Sequence, residues 1–109
     1  MNARTLKALQ GSIEHWEENV AAEDIHDTSI GSRRCKLCHT FPSDDCEGCP
    51  VAEKVGQPLC IGTPYEVARV RWNVWLRATL NNGLREEELK TEWRKAAQAE
   101  LDFLRSLLP

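Results

Sequence analysis

The feature that most constrains this chain is a pair of Cys-x-x-Cys units, Cys35-Lys36-Leu37-Cys38 and Cys46-Glu47-Gly48-Cys49, separated by seven residues. His39 adjoins the first unit, and Cys60 follows a little downstream. In such a unit the two intervening residues let the backbone curl until both sulfurs reach one ion. Two units then supply the four tetrahedral ligands that zinc prefers. The spacing predicts a structural Zn2+ held by Cys35, Cys38, Cys46 and Cys49, in a segment too short and too polar to fold unaided. Cys60 is an alternative ligand that would close a longer loop; otherwise it is a small buried hydrophobe near the start of the next helix. His39 is a harder substitute because it directly follows a ligand, and its simpler reading is a solvent-facing or locally bonded ring.

Other uses of these thiols fit less well. Five cysteines leave one over in any disulfide framework. Cys49-Pro50 matches the Cys-Pro of ferredoxin-type runs, but a seven-residue gap is wider than those runs allow. A redox-active Cys-x-x-Cys sits at a helix start in a βαβ context, and none is visible. A catalytic zinc keeps an open position and a carboxylate base. Here Asp44, Asp45 and Glu47 are read as loop solvation around a closed thiolate site.

At 109 residues, 41% apolar and 28% charged, the chain reads as one domain, 1–109, with no apolar run long enough to cross a bilayer. Gln10, Ser12, Glu14 and His15 interrupt any signal core behind Met1, so the expected location is the cytoplasm, where thiols stay reduced. The net charge of −3 is unevenly placed. Glu14, Glu17, Glu18, Glu23, Asp24 and Asp27 make the first thirty residues acidic, whereas Arg69, Arg71 and Arg77 oppose only Glu66 in the third quarter. A general nucleic-acid binder shows a broad basic face, and this chain does not.

Hydrophobic periodicity predicts a mainly α fold. Leu6, Leu9, Ile13, Trp16 and Val20 recur at helical spacing and define a first helix over 3–23. The same stripe is the seam of a short coiled coil, so a homodimer is the alternative to packing within the monomer. Asp27-Thr28-Ser29-Ile30-Gly31-Ser32 is turn chemistry, in a linker over 24–34. The metal-binding module spans 35–62, and Pro50 to Gly56 inside it has the marks of a short helix, with proline in the first turn and glycine at the end.

Thr63-Pro64-Tyr65-Glu66 then combines an N-cap hydroxyl, a proline at the first helical position and a glutamate two residues on, a capping-box signature. The helix it opens is apolar almost all round, which predicts the central, most buried helix. Asn81-Asn82-Gly83 stops it, and the short connection predicts an antiparallel helical hairpin over 64–108. Leu89, Trp93, Ala96, Ala97, Leu101 and Leu104 stripe the last helix, with glutamates in its first turn and Arg105 near its end. The expected architecture is a three-helix core, helix 1 followed by the hairpin, carrying a small irregular zinc-knuckle insertion.

Trp16, Trp75 and Trp93 fall on these stripes and read as core. Trp72 lies on another part of its helix, close to Arg69 and Arg71. It is either buried under the metal module or, with Arg69, Arg71 and Arg77, an anchor for a partner, since Trp and Arg dominate interface hot spots. The same arginines, with Arg33, Arg34 and Lys36, would suit phosphate or a nucleotide if they formed one patch. No P-loop, Gly-x-Gly-x-x-Gly, His-Glu-x-x-His or Gly-x-Ser-x-Gly is present, so no common enzyme class has its signature.

Ser12-Ile13-Glu14-His15-Trp16, Cys35-x-Leu37-Cys38, Cys46-x-Gly48-Cys49-Pro50-Val51 and Cys60-x-Gly62-Thr63-Pro64-Tyr65 together resemble small cysteine-rich proteins of bacteriophages and prophages. The resemblance covers 12–65 and carries over no catalytic residues. It implies a phage-type accessory protein acting in the bacterial cytoplasm, and it gives Cys60 more weight as a ligand than spacing alone does. The sequence thus points to a non-enzymatic, zinc-stabilised protein that binds and modulates or inhibits a host protein, such as an antiviral-defence component. The alternative is a zinc protein that binds nucleic acid or a nucleotide through an arginine patch. No membrane role is expected.

Overall fold

A computed structural model describes residues 1–30, 49–56, 62–81, 83 and 85–109. They form four α-helices and one 3-10 turn: α1 (Ala3–Ala21), the turn Ile25–Asp27, α2 (Pro50–Val55), α3 (Pro64–Leu80) and α4 (Glu86–Ser106). No strand occurs among the described residues, and no helix there is long and apolar enough to cross a membrane.

Each terminus has a local cause. Asn2 caps α1, its Oδ1 accepting from the Thr5 N–H at 2.8 Å. At α3, Thr63 Oγ1 accepts from the Tyr65 N–H at 3.3 Å, while the Glu66 carboxylate accepts from the Gly62 N–H at 3.2 Å. The reciprocal logic of a capping box is kept, but the glutamate reaches one residue further back than the motif specifies. α3 ends where Gly83, at φ 67°, lets its N–H return to the Ala78 carbonyl at 2.7 Å. It is this positive φ that favours glycine here; a Cβ would lie 3.1 Å from a Glu86 carboxylate oxygen, which a small side-chain shift relieves. Arg85, at φ 61°, is the one non-glycine residue in the left-handed region among the described residues, and its guanidinium grips Glu88 at 3.0 Å as α4 begins.

Thr79 meets Glu86 at 3.4 Å and Trp75 stacks near Trp93 further from the turn, so α3 and α4 run antiparallel. The core differs from expectation in one respect: α4, rather than α3, is the central helix. α4 packs along both α3 and α1, and it buries Trp93, Ala96, Ala97, Glu100, Leu101 and Leu104. α3 buries only Ala68 and Trp75, leaving Val67, Val70 and Val74 on the outside. Apolar content all round a helix shows that burial is permitted but does not choose the side. The narrow stripe of α4, with alanines that let neighbours approach closely, fits between two helices better than three β-branched valines do.

The middle of the core is a chain of rings. Tyr65 meets Trp16 edge-on at 6.2 Å, Trp16 lies 5.9 Å from Trp93, and Trp93 lies 6.3 Å from Trp75. These contacts tie α1, α3 and α4 together, as the three tryptophans on the predicted stripes require. Trp75 and Trp93 are fully buried, and neither indole N–H has a hydrogen-bond partner. Their large apolar area outweighs the cost, about 1–3 kcal/mol each, of leaving a donor dry.

Candidate metal centre and the outer face of α3

Of the predicted ligands, Cys49 is the one within the described residues. Cys35, Cys38, Cys46 and Cys60 lie outside them, as does His39. Cys49 occupies the N-cap position of α2 in extended backbone, and its carbonyl accepts from the Glu53 N–H at 3.0 Å. Pro50 follows at the first helical position, and Gly56, at φ 72°, closes the short helix by donating to the Ala52 carbonyl at 2.8 Å. The helix predicted from Pro50 to Gly56 is therefore present. It is docked: Cys49 and Val51 are buried members of the main core cluster, only 6% and 3% exposed. Among the described residues no three His, Cys, Asp or Glu side chains come together to hold an ion.

The chain entering the cysteine segment is fixed from both sides. Asn19, buried on α1, donates through Nδ2 to the Ser29 carbonyl at 2.9 Å and accepts through Oδ1 from the Ser29 N–H at 3.1 Å. A side-chain amide thus bonds both main-chain groups of one residue, as a neighbouring strand would. His15 Nε2 lies 2.6 Å from Ser29 Oγ. From α3, Tyr65 donates to the Ile30 carbonyl at 2.6 Å, and the Trp72 indole N–H donates to Thr28 Oγ1 at 2.7 Å. Thr28 in turn donates to the Ile25 carbonyl at 2.6 Å, closing the 3-10 turn. On the far side of the cysteines, chain exit at Gly62 and Thr63 is fixed by the α3 cap described above.

Sequence reasoning recognised 24–34 as turn chemistry but missed that these groups bond across the fold. A signal was present: Asn19 is a polar residue three positions after Trp16, on the buried stripe of α1.

The residues read as partner contacts separate into two groups. Trp72 is half-buried and turned toward the chain's own Thr28, so its N–H is already engaged. Arg69, Arg71 and Arg77 are exposed. At about 100° per residue, Arg69 and Arg71 fall on nearly opposite sides of α3, so the three arginines do not converge on one anion. The ion pairs between elements lie elsewhere: Glu17 of α1 with Arg105 of α4, and Glu23, just past the end of α1, with Lys90 and Arg94 of α4. Hydrogen bonding and charge from Lys90, then the charge of Arg94, hold the Glu23 carboxyl below its usual range.

Searches against protein-family models, curated proteins and solved structures return no match for this chain.

Proposed function

We propose that the chain is a non-enzymatic, zinc-stabilised helical binding protein, of the phage-accessory type its cysteine pattern resembles, that modulates a host protein in the bacterial cytoplasm. The observation carrying the metal part of this reading is the placement of Cys49. It stands at the head of a helix whose first turn is built into the core, and the chain is latched at Ser29 and Ile30 before the cysteines and at Gly62 and Thr63 after them. A thiolate cluster of Cys35, Cys38, Cys46 and Cys49, with Cys60 as the alternative ligand, would brace a segment whose ends and one interior point are already fixed. Such a site adds its binding energy to local folding. The binding part is supported by the composition of the outer surface of α3 and by the lack of any enzyme signature in the sequence.

The metal part is tested by elemental analysis, cobalt substitution and hydrogen exchange on the purified protein. The expected result is one zinc per chain and, with Co2+, visible bands of a tetrahedral thiolate site that weaken in Cys49→Ser. Chelation is expected to speed exchange across 49–56 while 86–106 stays protected. Visible iron–sulfur absorption, or exchange unchanged across 49–56 after metal removal, would overturn it.

A further inference from the structure

Resting on the reading of the chain as a protein binder, the geometry points to its contact surface and to the chemistry of the partner. We propose that α3 docks through Val67, Val70 and Val74, bordered by Arg71 and Arg77, against an apolar groove rimmed by carboxylates on a partner protein.

Val67, Val70 and Val74 follow one another at steps of three and four, so they form one stripe about 120° round α3 from the buried Ala68 and Trp75. They are 54%, 54% and 37% exposed. The outward sides of the other long helices are different: α1 presents Glu14, Glu17 and Glu18, and α4 presents Glu87, Thr91 and Lys95. Only α3, among the described helices, turns a row of β-branched apolar side chains to water. Arg71 and Arg77 lie some 55–65° to either side of this stripe, so they flank it, whereas Arg69 points away. The nearby acid, Glu66, is committed to capping its own helix at Gly62. Among the described residues no carboxylate pairs with Arg71 or Arg77, so the stripe has a positive border there, and charge complementarity assigns acidic groups to the rim of whatever covers it.

The apolar centre favours protein over nucleic acid, because phosphate binding rewards converging cations and gains nothing from three valines, and because the chain as a whole is acidic. It disfavours a second copy as well. An antiparallel pairing that set Val70 against the copy's Val74 would bring the two Arg71 side chains face to face near the two-fold axis, a like-charge contact.

The test replaces Val70 with a photo-cross-linking amino acid in the full chain expressed in bacteria, with Glu18 on the acidic side of α1 as the control position. The sequence of each cross-linked peptide is read by mass spectrometry. Cross-links from position 70 to an apolar protein segment carrying Asp or Glu, absent from position 18, are expected. Arg71→Glu should reduce them about tenfold and a reversed charge on the partner's carboxylate should restore them. Cross-links from position 70 to nucleic acid, lipid or a second copy would overturn the proposal, as would a partner segment without carboxylates. A partner captured only from position 18 would refute this face while leaving the binding function intact, and no protein from either position would refute both.

Discussion

The helical bundle and the segment leading into the cysteines are held by different kinds of contact. In the bundle, α1, α3 and α4 close mainly on tilted and edge-on rings and small apolar residues, with Ser12 and Glu100 buried among them. In the segment from Ile25 to Ile30, the two isoleucines pack on the core at either end, and the polar residues between them are placed by hydrogen bonds from Asn19, His15 and Trp72, with Tyr65 bonding the Ile30 carbonyl. Apolar packing is tolerant of direction and gains energy with area, whereas hydrogen bonds gain little net energy but fix position to within a fraction of an ångström. The bundle therefore supplies the stability, and the latch sets where the cysteine segment begins.

The largest effect should come from breaking the bundle. Trp93 touches rings on both neighbouring helices and is fully buried. Trp93→Ala is expected to cost about 3–5 kcal/mol, enough to unfold a small domain. Urea denaturation followed by far-UV circular dichroism measures it. A loss under about 1 kcal/mol would mean that the ring chain is not the core of this fold.

How far each region was legible in the sequence follows from the same contrast. Apolar periodicity is a local signal, and it placed α1, α3 and α4 and the three core tryptophans, while Pro50 and Gly56, equally local signals, placed the short helix after Cys49. Where periodicity was ambiguous it misled. α3 has apolar residues on several faces, and only the competing fit of α4 between two neighbours determines that Val67, Val70 and Val74 face outward. The latch, signalled only by Asn19 on the buried stripe of α1, was hard to read for another reason. Its bonds span ten to forty-four residues, from Asn19 to Ser29 and from Trp72 to Thr28, and a hydroxyl or amide in a turn looks alike whether its partner is local or distant. Of the candidate metal site, Cys49 and its helix are described, and the other cysteines fall outside the described residues.

Breaking the latch should cost less than breaking the bundle and should act in a different place. Asn19→Ala empties a buried position on α1 and leaves the part-buried Ser29 N–H and carbonyl without their partner. The expected loss is about 1–3 kcal/mol in global stability. Hydrogen exchange should quicken around Ser29, while the centre of α4 keeps its protection. If the loss is spread evenly through α4 instead, the latch and the bundle are one cooperative unit and the distinction between them fails.

The smallest effect belongs to the ion pairs on the seam between α1 and α4, and it sharpens the comparison because it depends on pH. Glu23 is largely exposed and contacts Lys90 at 2.7 Å and Arg94 at 3.4 Å. Its carboxyl titrates lower when folded than its ordinary value of 4.5. The unfolded chain therefore binds the proton more readily, so the contribution is present above pH 4.5 and fades as pH falls through the folded-state value. Glu23→Gln should lower the urea midpoint slightly at neutral pH, and the difference from the parent should shrink in acid and in high salt. A difference that persists in acid would show that Glu23 acts through packing. Loss of charge at this position should leave Arg94 bonded to the Ala22 carbonyl at 3.1 Å, so the end of α1 stays tethered to α4 and neither the ring chain nor the latch is disturbed.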